Sequence, residues 1–416
     1  MSITLKKEKT NVVSLLSFLC PLIYFASYLT RKDYSIVMDA IISQELINEN
    51  MAGLVETLGV ISYGIGQVIS GILGDRFKPQ KLIMCGLGVT VLCNIAMPFT
   101  PAAGRGALWF INGFAQSMLW PPLVRIMAAV MDEKKYNTVA SNVNVAGISG
   151  TIFIYITSSL IWLKYFDSWK LTFFTSAIIT AIILVLWIVG FKKITKTSDI
   201  HFERKKSEEK TDKSGKKLSF KLILGSGFIF IALAIIAQGA LRDGITDWVP
   251  TLLRNTFEIP SSYAILYSVI IPIIGVISMK IVGIAANKWV KEELNGSLAV
   301  FIAAAILCTV LYLIYTRNQY VTVAVAAIIV GAMWAINFFL VCVVPAKFEK
   351  YGIVSTMSGI INSLTYVGTS LAVTGFPSLT KDGDWGLCIF VWIFIAAFGA
   401  IMCIAGVRAW KRFKSE

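Results

Sequence analysis

Apolar runs of about twenty residues recur from one end of this 416-residue chain to the other. Only 15% of the residues are charged and the mean hydropathy is +0.73, whereas a soluble domain carries roughly 25% charged residues. Burying every run in one water-soluble core would need more polar surface than the sequence has. About 20 apolar residues suffice to cross a bilayer as a helix, so the runs predict an all-α integral membrane protein.

The apolar runs form two sets of six, which predicts twelve transmembrane helices. The first set lies near 12–42, 51–74, 82–100, 104–131, 138–162 and 169–191. The second lies near 219–254, 261–286, 296–316, 320–345, 352–377 and 383–409. The sequence therefore predicts an N-terminal bundle over 1–191, a linker over 192–218 and a C-terminal bundle over 219–416.

Basic residues are concentrated in alternate connectors between the runs. The stretch 192–221 holds eleven bases and five acids and is too polar to bury a core of its own. By the positive-inside rule, this linker and both termini are expected on the cytoplasmic side of a cell membrane. The rival interpretation of residues 1–30 as a cleaved signal peptide lacks a small-residue cleavage site. Bases confined to connectors also argue against nucleic-acid binding, despite the net charge of +14.

Cysteine and histidine usage excludes several kinds of site. The seven cysteines lie inside apolar runs without a CxxC pair, and the single histidine, His201, lies in the linker. We therefore expect no metal site and no cofactor. The sequence also lacks a P-loop, which argues against an ATP-driven pump. No nucleophile–base pair or carboxylate pair stands out in the spans, so we expect no enzyme activity.

The connector after the second run reads Gly71-Ile72-Leu73-Gly74-Asp75-Arg76, followed by bases. It resembles the loop signature of the major facilitator superfamily, in which this loop helps to hold one end-state closed. Small residues let helices approach, and Asp75 is expected to pair with Arg76 or to cap the next helix. A weaker copy at 283–288 supports an internal repeat. The resemblance implies the major facilitator fold, with two pseudo-symmetric six-helix bundles.

Each set of runs carries one arginine deep in its first member, Arg31 and Arg242. An arginine inside the bilayer is costly and usually faces a water-filled cavity, and its planar fork of donors fits carboxylate or phosphate oxygens. The pair therefore predicts a small anionic substrate. The alternative is that both residues end shortened helices at the outer interface and pair with Asp33 and Asp243.

Polar and aromatic side chains recur at helical spacing in several runs and are expected to line a substrate cavity or to join helices. The motifs 28–32, 113–122 and 241–250 resemble the organophosphate:phosphate antiporter family, which includes glycerol-phosphate and hexose-phosphate carriers. The resemblance implies that Arg31 and Arg242 bind the phosphoryl group. The expected cavity residues are Tyr24, Tyr28, Gln67, Gln116, Trp120, Asn144, Trp334, Asn337, Asn362 and Tyr366.

The sequence departs from that family at three positions. A lysine of the glycerol-phosphate carriers falls on Gln67, a histidine falls near Val143, and a tyrosine is replaced by Trp334. The loss of a fixed cation and a titratable group should weaken binding of a doubly charged phosphate monoester.

The leading hypothesis is alternating-access exchange of an organophosphate for inorganic phosphate by a monomer in the bilayer. One rival is a proton-coupled carrier of a carboxylate or sugar acid, with Asp33, Asp243 or Asp247 as the proton site. Another rival is a membrane sensor of sugar phosphate.

Overall fold

A computed structural model describes residues 2–44, 46–197, 225–288, 290, 292–380 and 384–415. Much of the predicted linker, from residue 198 onward, lies outside the described residues. The chain divides into two compact units. The first unit comprises Met1–Glu208 and Gly352–Ile360, and the second comprises Glu209–Tyr351 and Ile361–Glu416.

The described residues of the first unit that precede the linker form eight α-helices. They are α1 (Ser2–Ser43), α2 (Glu49–Arg76), α3 (Pro79–Ala96), α4 (Ala102–Ser117), α5 (Trp120–Val130), α6 (Glu133–Thr157), α7 (Lys164–Phe166) and α8 (Lys170–Thr197). A wider π-helical segment, Ser158–Leu163, joins α6 to α7.

The described part of the other unit adds α9 (Phe228–Phe257), α10 (Ser261–Ser268), α11 (Ile270–Lys288), α12 (Glu293–Ile314), α13 (Gln319–Asn337), α14 (Val344–Ala346), α15 (Val354–Gly375) and α16 (Gly386–Ser415). A π-helical segment, Phe338–Val343, joins α13 to α14. The first residues of α15, up to Ile360, belong to the first unit.

The all-α fold predicted from the apolar runs is confirmed, and each of the twelve predicted spans overlaps at least one helix. Within the described residues, ten helices are long and apolar enough to cross a membrane. The fourth predicted span is instead divided into α4 and α5 at Met118–Leu119. Prolines 121 and 122 open α5, where a missing backbone N–H costs least. The eleventh predicted span is α15, whose serines, threonines and glycines lower its hydropathy.

Several predicted boundaries differ from those of the structure. Helix α8 passes the predicted end of the sixth span, 191, and is described to Thr197, so it includes the first lysines of the predicted linker. The seventh span, predicted from 219, has its described helix from Phe228. The twelfth extends to Ser415. Basic residues near a helix C-terminus interact favourably with the helix dipole, which accounts for helices that run into charged sequence.

The first unit contains an aromatic core where α1, α4 and α8 meet. Tyr34 and Trp109 lie 5.4 Å apart between ring centroids, and Phe173 meets Trp109 edge-on at 6.0 Å. Trp169 packs on Phe173 at 5.8 Å. All four rings are buried, so this cluster fixes the part of α1 that follows Arg31.

A buried carboxylate fixes the ends of three helices in the second unit. Glu293, at the start of α12, is 4% exposed. It accepts hydrogen bonds from Lys414 Nζ at 2.9 Å and Trp410 Nε1 at 3.1 Å, and its other oxygen lies 3.3 Å from Lys347 Nζ. A buried charge is tolerated when it is paired and hydrogen-bonded, and Glu293 meets both conditions.

Two glycines allow α9 and α15 to cross at backbone contact. A Cβ added at Gly239 would collide with the carbonyl oxygen of Thr365, and one added at Gly368 would collide with that of Ile236. Small residues at such crossings let helices pack closely in a membrane. This crossing sets the position of the α9 residues that follow Gly239.

We expect Gly368→Ala to destabilise the protein, because the added methyl group must push Ile236 away; overpacking of this kind costs about 1–3 kcal/mol. Gly375→Ala is the matched control, since it lies on the same helix with nothing within 4 Å of its added Cβ. Thermal unfolding of the detergent-purified variants should show a lower midpoint for Gly368→Ala alone. Equal midpoints would contradict the close crossing.

Candidate functional site

Arg31 and Arg242 lie inside continuous helices. Helix α1 continues for about three turns beyond Arg31, to Ser43, and α9 for about four turns beyond Arg242, to Phe257. The alternative in which each arginine ends a shortened helix is therefore wrong. Both side chains are carried by the middle of long apolar helices, where a guanidinium needs local partners.

Arg31 is held by two tyrosine rings and a hydroxyl of the first unit. Its Cζ lies 4.4 Å from the ring centroid of Tyr28 and 4.2 Å from that of Tyr63. One amino group, Nη2, donates a hydrogen bond to Ser27 Oγ at 3.1 Å. Cation–π contacts of this kind stabilise a guanidinium that is partly removed from water.

The aromatic stripe predicted on α1 forms one cluster with α5. Tyr24 packs on Tyr28 with ring centroids 5.1 Å apart and on Trp120 at 4.8 Å. The buried indole N–H of Trp120 has no hydrogen-bond partner among the described residues. Gly147 of α6 lets both tyrosines approach, since a Cβ there would lie 3.0 Å from each ring.

Three other predicted residues of the first unit bond to backbone carbonyls. Gln116 donates to the carbonyl oxygen of Thr30 at 2.9 Å, Gln67 to that of Ser117 at 3.5 Å, and Asn144 to that of Ala140 at 2.9 Å. The Oε1 atom of Gln67 is buried without a partner in the described part of the chain. Gln116 therefore ties α4 to α1 one residue before Arg31, which positions the arginine.

Arg242 forms a bidentate ion pair with the next residue in the sequence, Asp243. Its Nε and Nη2 atoms donate to the two carboxylate oxygens of Asp243 at 2.6 and 2.8 Å. Thr369 of α15 donates to the same carboxylate at 2.6 Å. The Cζ of Arg242 lies 4.8 Å from the ring centroid of Trp334 on α13. The structure thus brings Arg242 of α9 against Trp334 of α13. The hydrogen bond between Asp243 and Thr369 joins α9 to α15.

The remaining predicted residues of the second unit lie on α13, which carries Trp334, and on α15, which carries Thr369. Asn337 and Asn362 are buried, and Tyr366 is half-buried. The Nδ2 atom of Asn362 has no hydrogen-bond partner among the residues described. Spacing places Asn362, Tyr366 and Thr369 on one face of α15, which makes that face polar.

The acid of the Gly71–Arg76 loop signature binds a helix far along the chain. Asp75 accepts hydrogen bonds from the backbone N–H groups of Ser355 at 3.0 Å and Thr356 at 2.7 Å. Its carboxylate also lies 4.0 Å from Arg125 Nε. The expectation that Asp75 pairs with Arg76 or caps the next helix is wrong, since Arg76 is exposed and Lys78 is the N-cap of α3. Asp75 instead neutralises the positive end of α15.

Gly71 and Gly74 make that contact possible. A Cβ at Gly71 would lie 2.7 Å from the carbonyl oxygen of Ser355, and one at Gly74 would overlap the side chain of the same serine. Arg125 of α5 donates to the carbonyl oxygens of Gly74 and Phe77, the latter at 3.1 Å. The signature is therefore a backbone surface on which the first turn of α15 packs.

The family model of the Major Facilitator Superfamily matches residues 21–373, which include both arginines and the signature. The chain belongs to the Major Facilitator Superfamily. Membership of this superfamily indicates that the protein is a multi-pass membrane transporter. A location in the membrane accounts for the apolar helices and for the glycines at helix crossings.

Among curated proteins, this superfamily member is 23% identical over 412 residues to the glycerol-3-phosphate transporter of Bacillus subtilis, covering 93% of this chain and 91% of that protein. It is 24% identical over 390 residues to a probable hexose phosphate transport protein of Chlamydia trachomatis, covering 87% and 83%. It is 23% identical over 398 residues to the membrane sensor protein UhpC of Escherichia coli, covering 93% and 88%. The resemblance to organophosphate carriers is thereby confirmed.

Solved structures show the same fold. A double-tryptophan mutant of XylE superimposes with a TM-score of 0.77 at 14% identity, covering 97% of this chain and 98% of that one. FucP in the outward conformation superimposes with a TM-score of 0.72 at 14% identity, covering 96% and 98%. The major facilitator fold predicted from the loop signature is confirmed.

Sequence reasoning missed four residues whose side chains contact Arg31, Asp75 or Asp243. Tyr63 lies one helical turn before Gln67, and Thr369 lies one turn after Tyr366, so an extension of the polar stripes would have found both. Arg125 is a lone charge inside an apolar run, itself a signal. Ser27 gives no signal, because hydroxyls that bond within their own helix are common in such segments.

We expect Asp75→Ala to lower the thermal unfolding midpoint, because two N–H groups at the start of α15 lose their acceptor; an N-cap loss costs about 0.5–2 kcal/mol. Arg76→Ala is the matched control, since Arg76 is the exposed neighbour in the same signature. Both variants should be compared by tryptophan fluorescence on heating. A larger loss in Arg76→Ala would contradict the assigned role of Asp75.

Proposed function

We propose that this protein is a secondary active transporter that exchanges an organophosphate for inorganic phosphate by alternating access. Relatives that match over most of their length are named glycerol-3-phosphate transporter and probable hexose phosphate transport protein, which supports an organophosphate substrate. The observation that carries the proposal is the placement of one arginine in the middle of the first long helix of each unit.

In this proposal Arg31 and Arg242 both bind the anionic group of the substrate. A guanidinium is always charged and presents parallel N–H donors that match two oxygens of a phosphoryl group. The ring faces beside each guanidinium stabilise its positive charge. The indole N–H of Trp120, which has no hydrogen-bond partner among the described residues, is a further donor for a ligand oxygen, and its ring packs on Tyr24.

The conformational step follows from differential binding. We take the two bundles, 1–191 and 219–416, to move as rigid bodies about the bound anion, with 192–218 as the cytoplasmic linker between them. Substrate that binds the occluded state more tightly than the open states shifts the population through that state. Exchange by this route requires no titratable residue, which agrees with glutamine at 67 and valine at 143.

The proposal also covers the membrane, the orientation and the oligomeric state of the transporter. Both termini and the linker are placed in the cytoplasm by the distribution of bases, the membrane is the cell membrane, and the working unit is a monomer. Gln67, Gln116, Asn144, Asn337, Asn362 and Tyr366 line or support the cavity.

A sensor is the second candidate function, because UhpC, named a membrane sensor protein, is similar over 93% of this chain. Binding of phosphate or a sugar phosphate to the purified protein without flux in liposomes would favour sensing. A proton-coupled carrier would instead respond to an imposed pH gradient without any anion on the far side. The candidate proton sites differ in setting, since Asp33 is fully buried and Asp247 is exposed.

We expect Arg31→Lys and Arg242→Lys to reduce exchange of labelled phosphate in proteoliposomes loaded with phosphate by about 10- to 100-fold, because each loses a charge-assisted hydrogen bond and the planar fork. Arg317→Lys is the matched control, since Arg317 is exposed in the connector before α13. Wild-type exchange in either site variant would refute the assigned roles.

A further inference from the structure

The guanidinium fork of Arg242 is already occupied by a carboxylate from the same helix. Two of its nitrogens face the two oxygens of Asp243 at hydrogen-bond distance. A carboxylate placed in this way has the shape of the ligand expected there, with two oxygens in one plane and a single negative charge. The substrate must therefore share this fork with Asp243 or displace it.

Asp243 is held in the fork from a second helix. Thr369 Oγ1 donates to Asp243 Oδ2 at 2.6 Å and also lies 3.1 Å from the carbonyl oxygen of Thr365 on its own helix. The glycine crossing of α9 and α15 brings these helices to backbone contact at Gly239 and Gly368. The carboxylate of Asp243 is thus held in place by Thr369 as well as by Arg242, and about a quarter of its side-chain surface remains exposed.

The charge of Arg242 is cancelled locally by this arrangement. A singly charged anion that replaces Asp243 in the fork restores the same pairing of charges. A doubly charged anion brings a second negative charge next to the carboxylate, and like charges in contact disfavour binding strongly.

We propose that Asp243 determines specificity: by occupying the Arg242 fork it makes the site select singly charged anions, such as phosphodiesters, over doubly charged phosphate monoesters. This inference rests on the proposed function, in which Arg242 binds the substrate anion. Asp243 acts through Arg242, so its removal should change the ranking of ligands by charge and not only the strength of binding.

The test compares two probes that differ in charge but share a phosphate group. Methyl phosphate carries two charges at pH 8, since its second pKa is about 6, whereas dimethyl phosphate carries one. Their dissociation constants are measured for the detergent-purified, full-length protein by calorimetric titration. Wild-type protein should bind dimethyl phosphate more tightly than methyl phosphate.

Asp243→Asn should tighten the binding of methyl phosphate by about tenfold relative to dimethyl phosphate, as one like-charge contact is removed. Asp243→Glu, which keeps the charge, should retain the wild-type ranking. Thr369→Val should shift the ranking in the same direction as Asp243→Asn by a smaller factor, and it serves as the second test if Asp243→Asn does not fold. Asp384→Asn is the control, because that carboxylate bonds Tyr315 and the N–H of Gly386 elsewhere in the unit.

The proposal is overturned if Asp243→Asn leaves the ratio of the two dissociation constants unchanged, or weakens both probes equally. The latter outcome would show that Asp243 only holds Arg242 in place. Failure of the proposed function is recognised separately with Arg242→Gln. If that variant binds both probes like the wild type, or if neither wild type nor Asp243→Asn binds either probe, then Arg242 is no phosphate site and the inference fails with it.

Discussion

A permanent positive charge carried by the middle of an apolar helix is the constraint around which each unit is organised. A guanidinium cannot shed its proton in a protein, so it must find partners inside the helix bundle. Arg31 lies against the rings of Tyr28 and Tyr63 and bonds Ser27. Arg242 lies against Trp334 and pairs with Asp243. The same requirement is therefore met by aromatic faces in both units and by an added carboxylate in the second.

Close backbone approach decides where those charges lie. Gly147 leaves room for Tyr24 and for Tyr28, which lies against Arg31, and Gly150 lets α6 touch the carbonyl oxygen of Phe25. In the second unit Gly239 and Gly368 set the crossing that places Thr369 beside Asp243. A membrane offers little hydrophobic driving force between helices, so packing of this kind carries their association. The glycines position the arginines as directly as the polar contacts do.

Much of the fold could be predicted from the sequence, because a bilayer imposes a length on every apolar run. The break at Met118–Leu119 escaped this rule, since α4 and α5 read as one continuous apolar segment. Helical spacing placed Tyr24, Tyr28 and Arg31 on one face, and in the structure Tyr24 packs on both Tyr28 and Trp120. Spacing could not show that Gln116 bonds the backbone of α1, because amides serve ligands and helix contacts with the same geometry.

The hydrogen-bond partners of Asp75 show why contacts between distant parts of the chain cannot be predicted from local sequence patterns. The donors, Ser355 and Thr356, lie some 280 positions away in sequence, and nothing local distinguishes them from other serines and threonines. The fork of Arg242 is different, because its partner is adjacent in sequence and the pairing was foreseen, though only as part of the wrong helix-end alternative. An ion pair between adjacent residues can be predicted from the sequence. The packing of a helix end against a distant loop can be found only from the folded structure.

Helix α15 joins the two kinds of contact. Its first turn is held by Asp75, and about 20 Å farther along the helix axis Thr369 bonds Asp243 in the fork of Arg242. A continuous helix transmits a displacement along its axis because its backbone hydrogen bonds resist stretching. In the mechanism proposed above, an anion that takes the place of Asp243 would release Thr369 and so remove a contact that the second-unit part of α15 makes with α9. The first consequence of anion binding is therefore expected at the Thr369 end of α15, where hydrogen exchange of the α15 backbone would detect it.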